Sequence, residues 1–110
     1  MKEALTGLGA LAQESRLGVF RLLVQRGPAG LAAGEIGERV GIPATTLSFH
    51  LAQLSQASLV TSRRAGRSII YAADYAGMRA LMDYLMKNCC QGGACAPEPP
   101  PRRVRPRKRR

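Results

Sequence analysis

Apolar positions recur along most of this chain at helical spacing. In residues 4–12 they are Leu5, Leu8, Leu11 and Ala12, which predicts a short amphipathic helix weakened by Gly7 and Gly9. Ser15 can cap a second helix, whose apolar stripe is Leu17, Phe20, Leu23 and Val24, with Arg16, Arg21 and Arg26 off it. Gly27 and Pro28 stop that helix. Residues 29–33 read as a glycine-punctuated loop, followed by a short helical piece with Ile36 and Val40 inward. Gly41, Ile42 and Pro43 predict a tight turn. A longer helix then covers about residues 44–57, with Leu47, Leu51 and Leu54 on its stripe, Phe49 off it, and Thr45 or Thr46 available as a cap.

The period then changes from helix to strand. Runs 59–64 and 68–73, joined by Ala65, Gly66 and Arg67, predict a β-hairpin in which glycine supplies a positive φ. A final helix over about residues 75–88 carries Met78, Leu81 and Leu85 on one stripe, broadened by Met82, Tyr84 and Met86. A helix apolar over so much of its surface needs more than one packing partner. In a chain of 110 residues the second partner can be another subunit. The expected fold class is mainly α with a small β-hairpin: a homodimeric winged helix-turn-helix. Residues 1–90 form the DNA-binding and dimerisation domain, and residues 91–110 a flexible segment with a Pro/Arg-rich tail.

Charge adds a partner. The formal net charge is +10. Residues 1–95 hold ten basic against six acidic side chains, and residues 96–110 hold seven against one, so the tail carries more than half of the excess. Such a balance points to an anionic partner, nucleic acid before an acidic membrane. The tail could add non-specific DNA affinity by counterion release, or serve only as a solvating extension. No run approaches the ~18–20 apolar residues of a membrane span, and no signal peptide is visible, so the expected location is cytoplasmic with no membrane partner.

Two helices joined by a short glycine-containing turn form the helix-turn-helix layout, in which the second helix enters the major groove and reads bases with its N-terminal residues. The candidate DNA contacts are therefore Thr45, Thr46, Ser48, Phe49 and His50. Phe49 could touch a thymine methyl or pack on the neighbouring helix. His50 could reach DNA or serve as a helix-surface or intersubunit hydrogen-bonding residue. Arg63, Arg64 and Arg67 surround the hairpin turn, where they could follow a phosphate ridge or minor groove, or simply be solvated.

The combined pattern resembles the ArsR-type metalloregulatory repressors. The resemblance is carried by Glu14-Ser-Arg-Leu-Gly-Val-Phe-Arg-Leu-Leu, Thr46-Leu-Ser-Phe-His-Leu-Ala-Gln-Leu and Gly66-Arg-Ser-Ile-Ile-Tyr, and it extends over roughly residues 5–88. It implies a homodimer with the first and last helices at its interface, bound to double-stranded operator DNA until a metal or metalloid releases it. Arsenic repressors of this kind carry a Cys-x-Cys pair before the recognition helix. Here the matching stretch is Ala32-Ala33-Gly34, and the Asp/His set of zinc- and cobalt-sensing relatives is also missing, with Asp74 lacking a histidine nearby.

The three cysteines instead follow the last helix, as Cys89, Cys90 and Cys95. That arrangement resembles an arsenic-responsive branch with a vicinal pair and a third thiol shortly after. Its chemistry also stands without the family. Soft thiolates select soft ions, and three sulfurs on a glycine-containing segment can close around As(III) or Sb(III), whereas tetrahedral zinc wants a fourth ligand. The alternatives are Cd(II), Pb(II) or Cu(I), a redox response through the same thiols, or unremarkable cysteines at a helix end. Enzyme activity is not expected. Cys-Cys is not a Cys-x-x-Cys redox motif, the one histidine lies in the recognition helix, and no catalytic cofactor motif is present.

Overall fold

The computed structural model describes residues 1–92. Its helices are α1 (Lys2–Leu11), α2 (Glu14–Arg26), α3 (Ala33–Val40), α4 (Ala44–Gln56) and α5 (Tyr75–Met86); its strands are β1 (Leu31–Ala32), β2 (Val60–Ala65) and β3 (Ser68–Ala73). The three strands form one antiparallel sheet in the order β1-β3-β2. The expected hairpin is β2–β3, with Ala65 opposite Ser68 and Gly66 at φ 63°. The unexpected strand is β1, which pairs Leu31 with Tyr71 and Ala32 with Ile70 inside the stretch read as a loop.

The core sits where α2, α3, α4 and the base of the sheet meet. Leu23, Leu31, Ile36, Leu51, Leu54 and Leu59 are fully buried there. Helix α2 turns a slightly different face inward than its predicted stripe. Val19, Phe20 and Leu23 are buried while Leu17 is exposed. The cap of α2 is also shifted: Gln13, rather than Ser15, precedes the helix, and its side chain accepts from the Arg16 backbone N–H at 2.8 Å. Neither Thr45 nor Thr46 caps α4, because both lie inside the helix and Pro43 occupies the N-cap position. Proline fits there, since its extended φ leads the chain into the first turn.

Three local features lock α3, α4 and α5 to one another. Gly41 is left-handed at φ 71°, and its N–H returns to the Gly37 carbonyl at 2.8 Å, which ends α3 and swings the chain into α4. The end of α4 passes through Ser58 at φ 61°. Asp74 then ties α5 to that corner. Its backbone N–H donates to the Leu59 carbonyl at 2.8 Å, and its carboxylate accepts from the Gly77 N–H at 3.0 Å as the cap of α5. No helix among the described residues is long and apolar enough to cross a membrane.

Candidate nucleic-acid interface and thiol segment

Helix α4 is two-faced. Leu47, His50, Leu51 and Leu54 are buried, at the i, i+3, i+4, i+7 spacing of a core-facing stripe. Thr45, Thr46, Ser48 and Phe49 are exposed, all near the helix N-terminus. Phe49 is 57% exposed, so the reading that it packs on a neighbouring helix is not the one the fold adopts. The first-turn amides of α4 have no side-chain cap, and such amides favour phosphate oxygens. The exposed edge of α4 thus offers hydroxyls, free amides and one aromatic face.

His50 departs from the expectation of a surface contact. It is 7% exposed, and its Nδ1 lies 3.3 Å from Nη1 of Arg16. A guanidinium has donors only, so Nδ1 accepts and the ring proton is on Nε2. The physical reason is the spacing: position 50 falls three after Leu47 and four before Leu54, on the inward stripe. That signal was readable beside the threonines. The 34-residue separation of Arg16 and His50 was not.

The wing places Arg64 and Arg67 in solvent at the hairpin tip. Arg63 is exposed too, but its Nη2 donates to the Ala29 carbonyl at 3.2 Å, tying the wing to the turn after α2. None of the three makes an ion pair among the described residues, where the sole ion pair joins the N-terminal ammonium and Glu3. Their charge is therefore not neutralised within the described fold.

At the other end of the molecule, α5 stops at Met86 and the chain reverses through Asn88 at φ 58° into the 3₁₀ turn Cys89–Gly92. Asparagine accepts the left-handed region more readily than most residues; Cys90, also left-handed at φ 56°, does not. The Sγ atoms of Cys89 and Cys90 are 3.5 Å apart, and Cys90 is exposed. Cys89 is disulfide-bonded in the structure. Cys95 and the basic tail lie outside the described residues. Among the described residues no three His, Cys, Asp or Glu side chains gather into a metal-binding group. Asp74 is used as the cap of α5, and of the stretch Ala32-Ala33-Gly34, where a Cys-x-Cys pair would stand, Ala33 and Gly34 line a small recess between α3 and α4.

Residues 11–63 match a family model described as a helix-turn-helix domain. Among curated proteins, the chain is 41% identical over 59 residues to the uncharacterized HTH-type transcriptional regulator YceK of Bacillus subtilis, covering 54% of this chain and 58% of that one. It is 29% identical over 89 residues to the transcriptional activator HlyU of Vibrio cholerae, covering 81% of this chain and 80% of that one. Among solved structures, an ArsR-like transcriptional regulator from a Rhodococcus species superimposes with a TM-score of 0.72 at 25% identity, over 83% of each chain. The chain has a winged helix-turn-helix fold and is similar to transcriptional regulators of the ArsR and HlyU type. HlyU superimposes on the chain with a TM-score of 0.65 over 82% of this chain and 95% of the other, and it has also been solved in a reduced form. A Mycobacterium bovis relative, described as a homodimeric winged helix-turn-helix DNA-binding domain, gives 0.63 at 27% identity, over 84% of this chain and 85% of that one. The chain spans little more than half the length of YceK. The names are those of transcriptional regulators, and none is that of an enzyme.

Proposed function

We propose that this regulator is a homodimeric repressor that holds operator DNA until a trivalent metalloid, As(III) or Sb(III), captures Cys89, Cys90 and Cys95. Thr45, Thr46, Ser48 and Phe49 read the major groove, and Arg63, Arg64 and Arg67 hold the flanking backbone. The observation that carries the metalloid half is the pair of sulfurs 3.5 Å apart at the foot of α5. Once the disulfide at Cys89 is reduced, thiolates of Cys89 and Cys90 at that spacing can bridge one soft centre, and a third from Cys95 would complete its coordination.

The dimer rests on apolar surface. Leu5 and Leu8 of α1, with Met82, Leu85 and Met86 of α5, are exposed large hydrophobics that the single chain does not cover. The Mycobacterium bovis relative is homodimeric. A second copy seated on α1 and α5 puts the thiol segment directly after the interface helix. A metalloid pinning that segment would shift one α4 relative to the other. The coupling equals the difference in metalloid affinity between the free and DNA-bound forms.

The test is operator release. Full-length dimer bound to its operator should leave on arsenite addition, and a reporter behind that operator should rise. Cys89→Ser/Cys90→Ser/Cys95→Ser should stay bound and keep the reporter silent. If the triple variant is released as readily as the wild type, the thiol mechanism is wrong.

Redox sensing through the same cysteines is the second reading. It is favoured by the disulfide at Cys89 and by the existence of a reduced form of HlyU. Release by a mild thiol oxidant under conditions where arsenite has no effect would select it.

A further inference from the structure

One buried titratable side chain has no part in the function proposed above. His50 lies on the inner face of α4, and its partner Arg16 is held at three points. The Arg16 backbone N–H donates to the Gln13 side chain at 2.8 Å, its Nε to the Ala10 carbonyl at 2.7 Å, and its Nη1 to His50 at 3.3 Å. One guanidinium thus joins the end of α1, the start of α2 and the middle of α4. Ala10 is itself buried in the core. A planar fork with fixed donor directions sets angles as well as distances. A buried ring nitrogen deprived of its donor would carry a desolvation cost.

The elements it joins have different tasks. Helix α1 carries Leu5 and Leu8, part of the apolar surface given above to the second copy, and α4 carries the exposed DNA-reading edge. The angle of α4 on α1 is therefore the angle of the reading edge on the dimer axis. In a two-fold dimer that angle decides how far apart the two half-sites can be. We propose that Arg16 and His50 are positioning residues for DNA recognition, fixing α4 on the dimerisation helix so that only one half-site spacing is accepted. The inference rests on the dimeric DNA-binding reading and adds to it the source of spacing selectivity.

The experiment is selection from a random-sequence duplex pool by full-length wild-type protein and by His50→Asn, His50→Leu and Arg16→Met. Fold is followed by circular dichroism and dimer mass by light scattering. Wild type should enrich two half-sites at one spacing. Asparagine places an acceptor oxygen close to the position of Nδ1, so His50→Asn should keep that spacing with affinity within about threefold of wild type. His50→Leu and Arg16→Met should enrich the same half-site bases over mixed spacings, and lose about tenfold or more in affinity for the wild-type site. A change in base preference at one position with spacing intact would instead make His50 a direct base contact and overturn the proposal. Wild-type spacing and affinity in both His50→Leu and Arg16→Met would overturn it as well. Should His50→Leu fail to fold, Arg16→Met decides alone. If wild type enriches no sequence, the DNA-binding reading itself fails and takes this inference with it.

Discussion

Two helical glycines face the same substitution with opposite consequences. A Cβ at Gly77 would run into the Ser58 carbonyl, because α5 lies with its backbone against the corner that ends α4. A Cβ at Gly18, on the exposed side of α2, would meet nothing within 4 Å. Gly77→Ala should therefore cost about 2 kcal/mol or more, since backbone must move to admit it. Gly18→Ala should stabilise by about 0.5–1 kcal/mol by relieving the entropic cost of glycine within a helix. Urea unfolding of both variants checks the pair. Equal effects would mean that the contact between α5 and Ser58 is not as close as described. His50 belongs to the same scale. Its worth lies in a single nitrogen, and no neighbouring residue in the sequence discloses the arginine that meets it.

At the scale of elements, the proposed function has the wing and α4 act on DNA in different ways. Arg64 and Arg67 stand in solvent with no ion pair among the described residues, so on the proposed reading each contributes charge rather than base choice. Arg64→Ala and Arg67→Ala should each weaken binding almost uniformly across sequences and reduce the slope of log affinity against log salt by about one. Phe49→Ala should leave the slope unchanged and relax preference at one base position. Fluorescence anisotropy over a salt series separates the two. The elements themselves were largely written in the chain. The spacing of Leu47, Leu51 and Leu54 marked α4, and Ala65-Gly66-Arg67 marked the turn of the wing. What escaped was whatever depends on distant partners. Leu31 and Ala32 are too few to signal a strand, and become one only because Tyr71 and Ile70 lie beside them. Gln13 caps α2 in place of the nearer serine, with its side-chain oxygen on the Arg16 N–H. The order of helices and strands could be read from local pattern. The inward turn of His50 could have been, and its contact with Arg16 could not.

For the whole molecule, the decisive quantity is the apolar surface left on α1 and α5. Leu85 is 54% exposed and Met86 is 60% exposed in the single chain, both one turn or less from the thiol segment. Leu85→Lys should produce a folded monomer by light scattering, with operator affinity reduced by a factor of about 100 or more, because two linked half-sites bind far better than one. A dimeric Leu85→Lys protein would place the interface elsewhere. The sheet order carries a last consequence. With β3 in the centre, β2 is an edge, and its outward backbone N–H and C=O groups form an open template for a strand from another molecule. Arg64 stands on that edge in solvent, and a second copy pairing there would bring like charge against it, which discourages such stitching. An arginine proposed to hold phosphate would then also keep free protein from polymerising. A wing stripped of its charge would fail on DNA and come out of solution for separate reasons.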